Sequence, residues 1–375
     1  MAGLTADASL IGQPGSRDRI PTPAAVLDLD AFERNLARMA ERAKAAGLAL
    51  RPHAKSHKCS AIALRQIEAG AVGVCCAKLA EAEAMAAAGV TSILVTSPIA
   101  GAAQAGRAAK LAQDLADFRI VVDHPDGAAE LGAAAQRPIQ VLIDVDPGMG
   151  RTGVHDAAQA VEVFRAIAGQ PNLRLLGVQC YGGHWQHMEG ANARAAAVAD
   201  GMAYLSTVIA ALRQAGASVQ VVTGGGTGSF AADAAQGVLT EVQPGSYAFM
   251  DREYRDALKE DLDGAFEQAL TIASTVISAN HPKWVTVDAG LKAFATDGPL
   301  PIAATPRFAA CAYRFFGDEH GRLMRPEGAP VARGERIEFV PPHIDPTLDR
   351  YDFIHVVRGD VLVEVAPVEG RGGSQ

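Results

Sequence analysis

The sequence predicts an α/β protein, a (β/α)8 TIM-type barrel followed by an all-β C-terminal domain. Three observations carry that prediction. Short apolar runs of strand length alternate with Ala-rich helical stretches about eight times between residues 49 and 247. Polar residues recur at the C-terminal ends of those runs. After Asp251 the texture changes to successive strand-length segments with no long helix between them.

The elements follow in order. Residues 1–20 are polar and read as a flexible tail. Residues 21–46 supply a lead-in strand that joins the β-domain, then a helix on which Phe32, Leu36, Met39 and Ala43 recur at helical spacing. Asp30 with Glu33 reads as that helix's capping box. The barrel is placed at 47–255, with strands at 49–55, 72–77, 93–97, 119–123, 140–146, 175–181, 219–223 and 241–247. Their polar ends are Lys55, Lys78, Ser97, Asp123, Asp146, Tyr181, Thr223 and Tyr247. An open doubly wound sheet is the competing architecture. Polar ends on nearly every strand favour the barrel, whose strand ends converge on one mouth. The β-domain is placed at 256–375, with strands at 270–277, 284–287, 309–315, 335–340, 353–357 and 361–365.

Composition narrows the function. The chain has 375 residues, 49% hydrophobic and 20% charged, which supplies a large core and excludes global disorder. Its 34 basic and 42 acidic side chains give 34 − 42 = −8, with no basic run to suit nucleic acid. No apolar stretch is expected to reach the ~18–20 residues that span a bilayer. The first 21 residues lack the charged and apolar regions of a signal peptide. Five cysteines without a CxxC pair suit a reduced, cytoplasmic protein. Cys75 and Cys76, neighbours on a strand, point to opposite faces and read as packed residues rather than a redox pair.

Gly224-Gly225-Gly226-Thr227-Gly228-Ser229 follows the seventh barrel strand. Successive glycines let backbone N–H groups approach an anion, and loops after strands seven and eight are a recurring phosphate site in barrels. A tight turn without a ligand gives the same pattern. Gln243 to Tyr247 lies after strand eight, next door. If the phosphate belongs to pyridoxal phosphate, a lysine must hold its aldehyde, and Lys55 is the lysine that barrel geometry aims at the mouth. A surface lysine is the bland alternative. His343-Ile344-Asp345 puts an imidazole and a carboxylate on one side of an extended segment, a pair suited either to a divalent ion or to a surface salt bridge.

Seven segments together carry a resemblance. They are Arg51 to Lys58, Gly73 to Lys78, Thr223 to Ser229, Gly245 to Asp251, Asp288 to Lys292, Asp318 to Gly321 and Pro342 to Thr347. In order, from Pro21 to Gly370, they resemble the D-threonine aldolase and D-serine dehydratase family of fold-type III, alanine-racemase-like pyridoxal-phosphate enzymes. The resemblance implies the barrel and β-domain described above, and commonly a homodimer with composite sites. It implies Lys55 as the Schiff-base lysine. Arg151, Tyr181, Thr223, Gly225, Gly226, Thr227, Ser246 and Tyr247 are implied around the cofactor. It implies a divalent metal on His343 and Asp345, with His187 near it as a candidate base. His184 reads as a loop histidine. Asp288, Lys292 and Asp318 to His320 are expected to border the substrate site from one subunit or its partner. His-x-Asp resembles the aldolase branch and suits Mn²⁺, with Mg²⁺ or Zn²⁺ as alternatives, whereas His-x-Cys resembles the zinc-using dehydratase branch.

The implied reaction cleaves a D-β-hydroxy-α-amino acid to glycine and an aldehyde. D-threonine, D-phenylserine and D-3-hydroxyaspartate, the last giving glyoxylate, all remain open. The implied alternative is a D-serine or D-threo-3-hydroxyaspartate dehydratase, which gives a 2-oxo acid and ammonia.

Overall fold

A computed structural model describes residues 7–259, 266–326 and 330–375. The chain divides into two compact units. One comprises 39–55, 62–245 and 372–375; the other comprises 1–38, 56–61 and 246–371.

Strand β1 (Ala24–Asp28) opens the chain's regular structure. The barrel unit then holds eight parallel strands: β2 (Ala49–Leu50), β3 (Val74–Cys76), β4 (Ser92–Val95), β5 (Asp117–Val122), β6 (Ile139–Val145), β7 (Leu173–Cys180), β8 (Val221–Gly224) and β9 (Glu241–Val242). Their order is β2-β9-β8-β7-β6-β5-β4-β3. A parallel bridge between His53 and Cys75 joins the two ends of that order and closes the barrel. Helices between the strands cover the outside, as an all-parallel sheet requires.

The barrel interior is apolar around Cys75, Leu94, Val121 and Leu142. It also holds charge. Arg51, 1% exposed, bonds Glu241 at 3.0 Å and Ser92 at 2.8 Å, and lies 3.7 Å from Asp117. Such a network is sustained because each buried charge has a partner. Cys75 and Cys76 are fully buried, and burial pushes both thiols up, which makes them inert.

The expectation that no stretch is long and apolar enough to cross a membrane is corrected by the helix Ala191–Gln214, which meets that test by length and composition. Alanine supplies much of its apolar character. Val198, Leu205, Val208 and Leu212 are buried along it, the pattern of a barrel helix packed on one face.

The second unit is built on β10 (Leu270–Ser278), β11 (Trp284–Val287), β12 (Ile302–Ala303), β13 (Tyr313–Phe315), β14 (Gly321–Met324), β15 (Arg336–Val340), β16 (Phe353–Arg358) and β17 (Val361–Pro367). Together with β1 they make a nine-stranded sheet ordered β13-β14-β11-β10-β1-β16-β17, with β15 pairing β10 and β12. β1 runs antiparallel to β10 and parallel to β16, so the lead-in strand does join this sheet. β12 and β14 were not expected from the sequence, and β13 is shorter than the 309–315 expected.

Two expectations about the chain's start are corrected. Residues 7–20 are no loose tail. Leu10 and Ile20 pack with Val26, Val357 and Leu362, Gly12 N–H donates to Leu362 O at 2.9 Å, and Arg17 forks onto Glu338 at 2.9 Å. The first six residues lie outside the described part. The helix Leu29–Ala45 is capped by Asp28, whose Oδ1 accepts from Ala31 N–H at 3.0 Å. Asp30 and Glu33 instead bond Arg358.

Candidate active site

In the barrel unit a cavity of about 340 Å³ opens at the C-terminal ends of the strands. Lys55, Lys78, Thr96, Arg151, Tyr181 and Gln179 are on its wall. Lys55 does not end a strand as expected. β2 stops at Leu50, and Lys55 sits in a 3-10 turn, Ala54–Ser56, where its N–H donates to His53 Nδ1 at 3.3 Å. Pro52 explains the early stop, since it has no N–H to extend the ladder. Lys58, the neighbouring lysine, is engaged by Asp349 at 2.7 Å.

Beneath the cavity runs a polar chain that the sequence reading missed. Thr96 Oγ1 lies 3.0 Å from His53 Nε2. Gln179 Nε2 donates to Thr96 O and to Asp144 Oδ1, both at 2.9 Å. Gln243 Nε2 donates to Gln179 Oε1 at 3.2 Å and to Thr223 Oγ1 at 3.0 Å. Burial pushes Asp144 up to about 6, against the hydrogen bonds from Gln179 and Thr152. The available signal was a single glutamine inside the otherwise apolar end of β7. Thr223 is fully buried, and its hydroxyl oxygen accepts from Gln243 in this chain.

Arg151 lies with its guanidinium carbon 5.6 Å from the Tyr181 ring centre. The glycine loop after β8 is stitched down by Gln186 and Ser229. Gln186 Oε1 accepts from Gly228 N–H at 3.0 Å and Ser229 N–H at 3.2 Å, and Ser229 Oγ accepts from Gly226 N–H at 3.2 Å. A Cβ on Gly225 would meet Asp233 Oδ2 at 2.4 Å, and one on Gly226 would meet Gln186 Oε1 at 2.4 Å. Close protein packing therefore requires these glycines on its own account, whatever approaches the loop from the cavity side. Gly225 also needs its positive φ of 67°. Burial pushes Asp233, under this loop, up to about 7 against hydrogen bonds from Ser229 and Gly226. Thr227 is buried at the loop's turn.

His187 is exposed on the turn after β7 and does not line the Lys55 cavity. His184 is exposed, its ring centre 5.2 Å from that of Trp185.

The remaining site candidates lie in the second unit. Ser246 and Tyr247 form a buried 3-10 turn, and the Tyr247 ring meets Phe266 edge-on at 5.7 Å. His343 and Asp345 are not on an extended segment, which corrects the shared-side argument. His343 occupies the N-cap position of the short helix Ile344–Leu348 without a side-chain capping bond, and Asp345 lies in its first turn. Pro346 in that first turn, with Thr347 Oγ1 donating to His343 O at 2.7 Å, explains the helix.

Acidic groups gather around this turn. His343 Nδ1 lies 2.9 Å from Asp297 Oδ2 and 3.9 Å from Glu253 Oε2. Buried Asp251 accepts from Ile344 and Tyr254 N–H, each at 2.9 Å. Burial pulls the His343 imidazole down, but Asp345, Asp297, Asp251 and Glu253 together push it further up. Among the described residues no three His, Cys, Asp or Glu side chains gather as a complete metal site. The donors at hand are one imidazole and one carboxylate. With Asp297 on Nδ1, Nε2 is the nitrogen that a metal would take, the usual arrangement behind metal-binding histidines. One imidazole nitrogen and one carboxylate would be the protein's share in holding a divalent ion here.

Asp288 is held by Thr22 Oγ1 at 2.6 Å, Ser274 Oγ at 2.7 Å and Thr275 N–H at 2.8 Å. Lys292 pairs with Glu319. Asp288, Lys292 and Asp318 line a separate cavity of about 340 Å³ in this unit, and His320 is exposed.

A closed parallel barrel with a lysine at its mouth, in a chain that adds a largely antiparallel sheet, defines the class. The alanine racemase N-terminal domain matches residues 27–253, and a putative serine dehydratase domain matches 269–357. The chain belongs to the alanine-racemase-like family of fold-type III pyridoxal-phosphate enzymes, in the group that includes D-threonine aldolase. D-threonine aldolase of Arthrobacter sp is 38% identical over 97% of this chain and 96% of its own length. The 3-hydroxy-D-aspartate aldolase of Paracoccus denitrificans (strain Pd 1222) is 37% identical over 96% of this chain and 94% of its own. The crystal structure of D-threonine aldolase from Filomicrobium marinum, 40% identical, superposes with a TM-score of 0.92 over 97% of this chain and 99% of that one. These relatives are lyases.

Proposed function

We propose that this chain is a pyridoxal 5'-phosphate- and divalent-metal-dependent aldolase that cleaves a D-β-hydroxy-α-amino acid to glycine and an aldehyde. The observation that carries the reading is Lys55 on the wall of a cavity lined by cations and by no carboxylate. A lysine amine condenses with an aldehyde, and a cationic cavity suits a phosphorylated ligand. Bound pyridoxal phosphate supplies a sink for the electron pair released when the Cα–Cβ bond breaks. A divalent ion supplies a Lewis acid for the substrate hydroxyl.

The chain's own residues do the rest. Lys55 anchors the cofactor, Arg151 and Tyr181 flank it, and Thr223, Gly225, Gly226, Thr227, Ser246 and Tyr247 form its surroundings. His343 presents Nε2 because Asp297 engages Nδ1, and Asp345 adds the carboxylate. That hard carboxylate favours Mn²⁺ over Zn²⁺. His187 is the proposed acceptor of the hydroxyl proton. A homodimer in the cytoplasm, acting on a small amino acid and on neither nucleic acid nor membrane, completes the proposal. The free cysteines support a reducing compartment.

The matching putative serine dehydratase domain favours a second reading, elimination to a 2-oxo acid and ammonia. Product analysis with D-β-hydroxy amino acids, cofactor and Mn²⁺ separates the two. Glycine and aldehyde in equal amounts are expected. A 2-oxo acid with ammonia and no glycine establishes the dehydratase instead.

A further inference from the structure

The barrel cavity holds one cation more than the cofactor chemistry uses. Lys55, Lys78 and Arg151 are on its wall, without an acidic lining residue. Around the mouth the strands run β8, β9, β2, β3, β4, with the His53–Cys75 bridge joining β2 to β3. The glycine loop follows β8, Lys55 follows β2 and Lys78 follows β3. A ligand with its phosphate toward the glycine loop and its reactive carbon at Lys55 therefore has Lys78 beyond that carbon, on the substrate side. Arg151 follows β6, on the other flank, against Tyr181.

Lys78 is fixed in place by its backbone. Buried Glu81 accepts from Ala77 N–H at 2.7 Å and from Lys78 N–H at 3.4 Å, which holds the residue at the start of the helix Leu79–Ala87. Its ammonium has no lone pair and takes no part in the cap. Among the described residues no carboxylate forms an ion pair with it. A positioned, exposed cation beside a cavity without acidic lining calls for an anion from the ligand.

We propose that Lys78 receives a second carboxylate, on the β-carbon of the substrate, and so sets a preference for D-β-hydroxy dicarboxylic amino acids of the 3-hydroxyaspartate class. The proposal rests on the aldolase reading. It assigns the two carboxylates of such a substrate to two separate cations, the α-carboxylate to Arg151 and the β-carboxylate to Lys78. Neutral substrates leave Lys78 to water.

The test compares holoenzyme with the Lys78→Gln and Lys78→Arg variants on D-threo-3-hydroxyaspartate and on D-threonine. A lost charged hydrogen bond of ~1.5–3 kcal/mol predicts that Lys78→Gln raises KM for the dicarboxylate roughly 10–150-fold. The kcat, the cofactor absorbance and the D-threonine kinetics should stay within about twofold. Lys78→Arg should recover most of the loss. Calorimetric binding of succinate, a dicarboxylate that cannot react, should weaken in parallel, and acetate binding should not. Equal losses on both substrates would make Lys78 an α-carboxylate or structural residue and overturn the proposal, as would unchanged kinetics and succinate binding. If the wild-type enzyme cleaves neither substrate, the aldolase reading fails. Succinate binding then still decides whether Lys78 holds a dicarboxylate.

Discussion

The mouth of the barrel and the turn at His343 are opposite in charge. The first gathers Lys55, Lys78 and Arg151 around a cavity with no acidic lining. The second gathers Asp251, Glu253, Asp297 and Asp345 about one imidazole. A cavity of the first kind holds anions such as phosphates and carboxylates. A turn of the second kind crowds like charges a few ångströms apart, and their repulsion favours a cation among them. Within one chain the two regions would suit opposite ligands, and the proposed function gives the first an anionic cofactor and the second a divalent cation.

Breaking the first region has the largest expected effect. Lys55→Ala should remove the cofactor's protein-bound absorbance and reduce turnover by about 10³-fold or more. A variant that still yields a borohydride-fixed cofactor adduct would assign the anchor to another lysine.

Next in size is Gly225→Val. Its Cβ would lie 2.4 Å from Asp233 Oδ2 at a φ of +67°. The conformation costs ~1–2 kcal/mol and the overpacking ~1–3 kcal/mol, so the melting temperature and cofactor affinity should both fall. Gly237→Ala is the control, because Gly237 has a φ of +62° and open space around it. It should show the conformational cost alone. Equal destabilisation by the two substitutions contradicts the packing account of the loop.

Smallest is the pH dependence from Asp233. Its folded pKa, raised to about 7 by burial, exceeds the ordinary carboxylate value of an unfolded chain. The folded state therefore keeps a proton that the unfolded state has lost. Stability is highest below about pH 4 for this group and falls as pH rises toward 7, by at most about 1.4 kcal/mol per pH unit. Asp233→Asn should flatten the urea midpoint between pH 5 and 7, leaving the shallower contribution of Asp144. An unchanged slope means that Asp233 is ionised in the folded protein.

The same two regions differ in how far they were legible in the sequence. The barrel repeats one local pattern, so its strands and their order of appearance are read from periodicity and chain sequence. What is lost there is nonlocal. Gln186 stitching the glycine loop and Gln243 reaching Gln179 join residues from different strands. The His343 turn misleads locally. His-Ile-Asp reads as extended until Pro346 and Thr347 are weighed as helix-starting residues. Asp297 and Asp251, which surround it, carry no motif of their own. Leu10 and Ile20 look like tail because their partners, Val357 and Leu362, lie near the other end of the sequence.

On the proposed function, cleavage needs both regions loaded, each with its own ligand. Treating holoenzyme with EDTA, and following cofactor absorbance and D-β-hydroxy amino acid cleavage in the same sample, tests it directly. The absorbance should persist while cleavage stops, and Mn²⁺ should restore cleavage better than Zn²⁺ because Asp345 is a hard ligand. Full cleavage in the chelated, metal-free sample would contradict the claim and remove the metal role from His343 and Asp345.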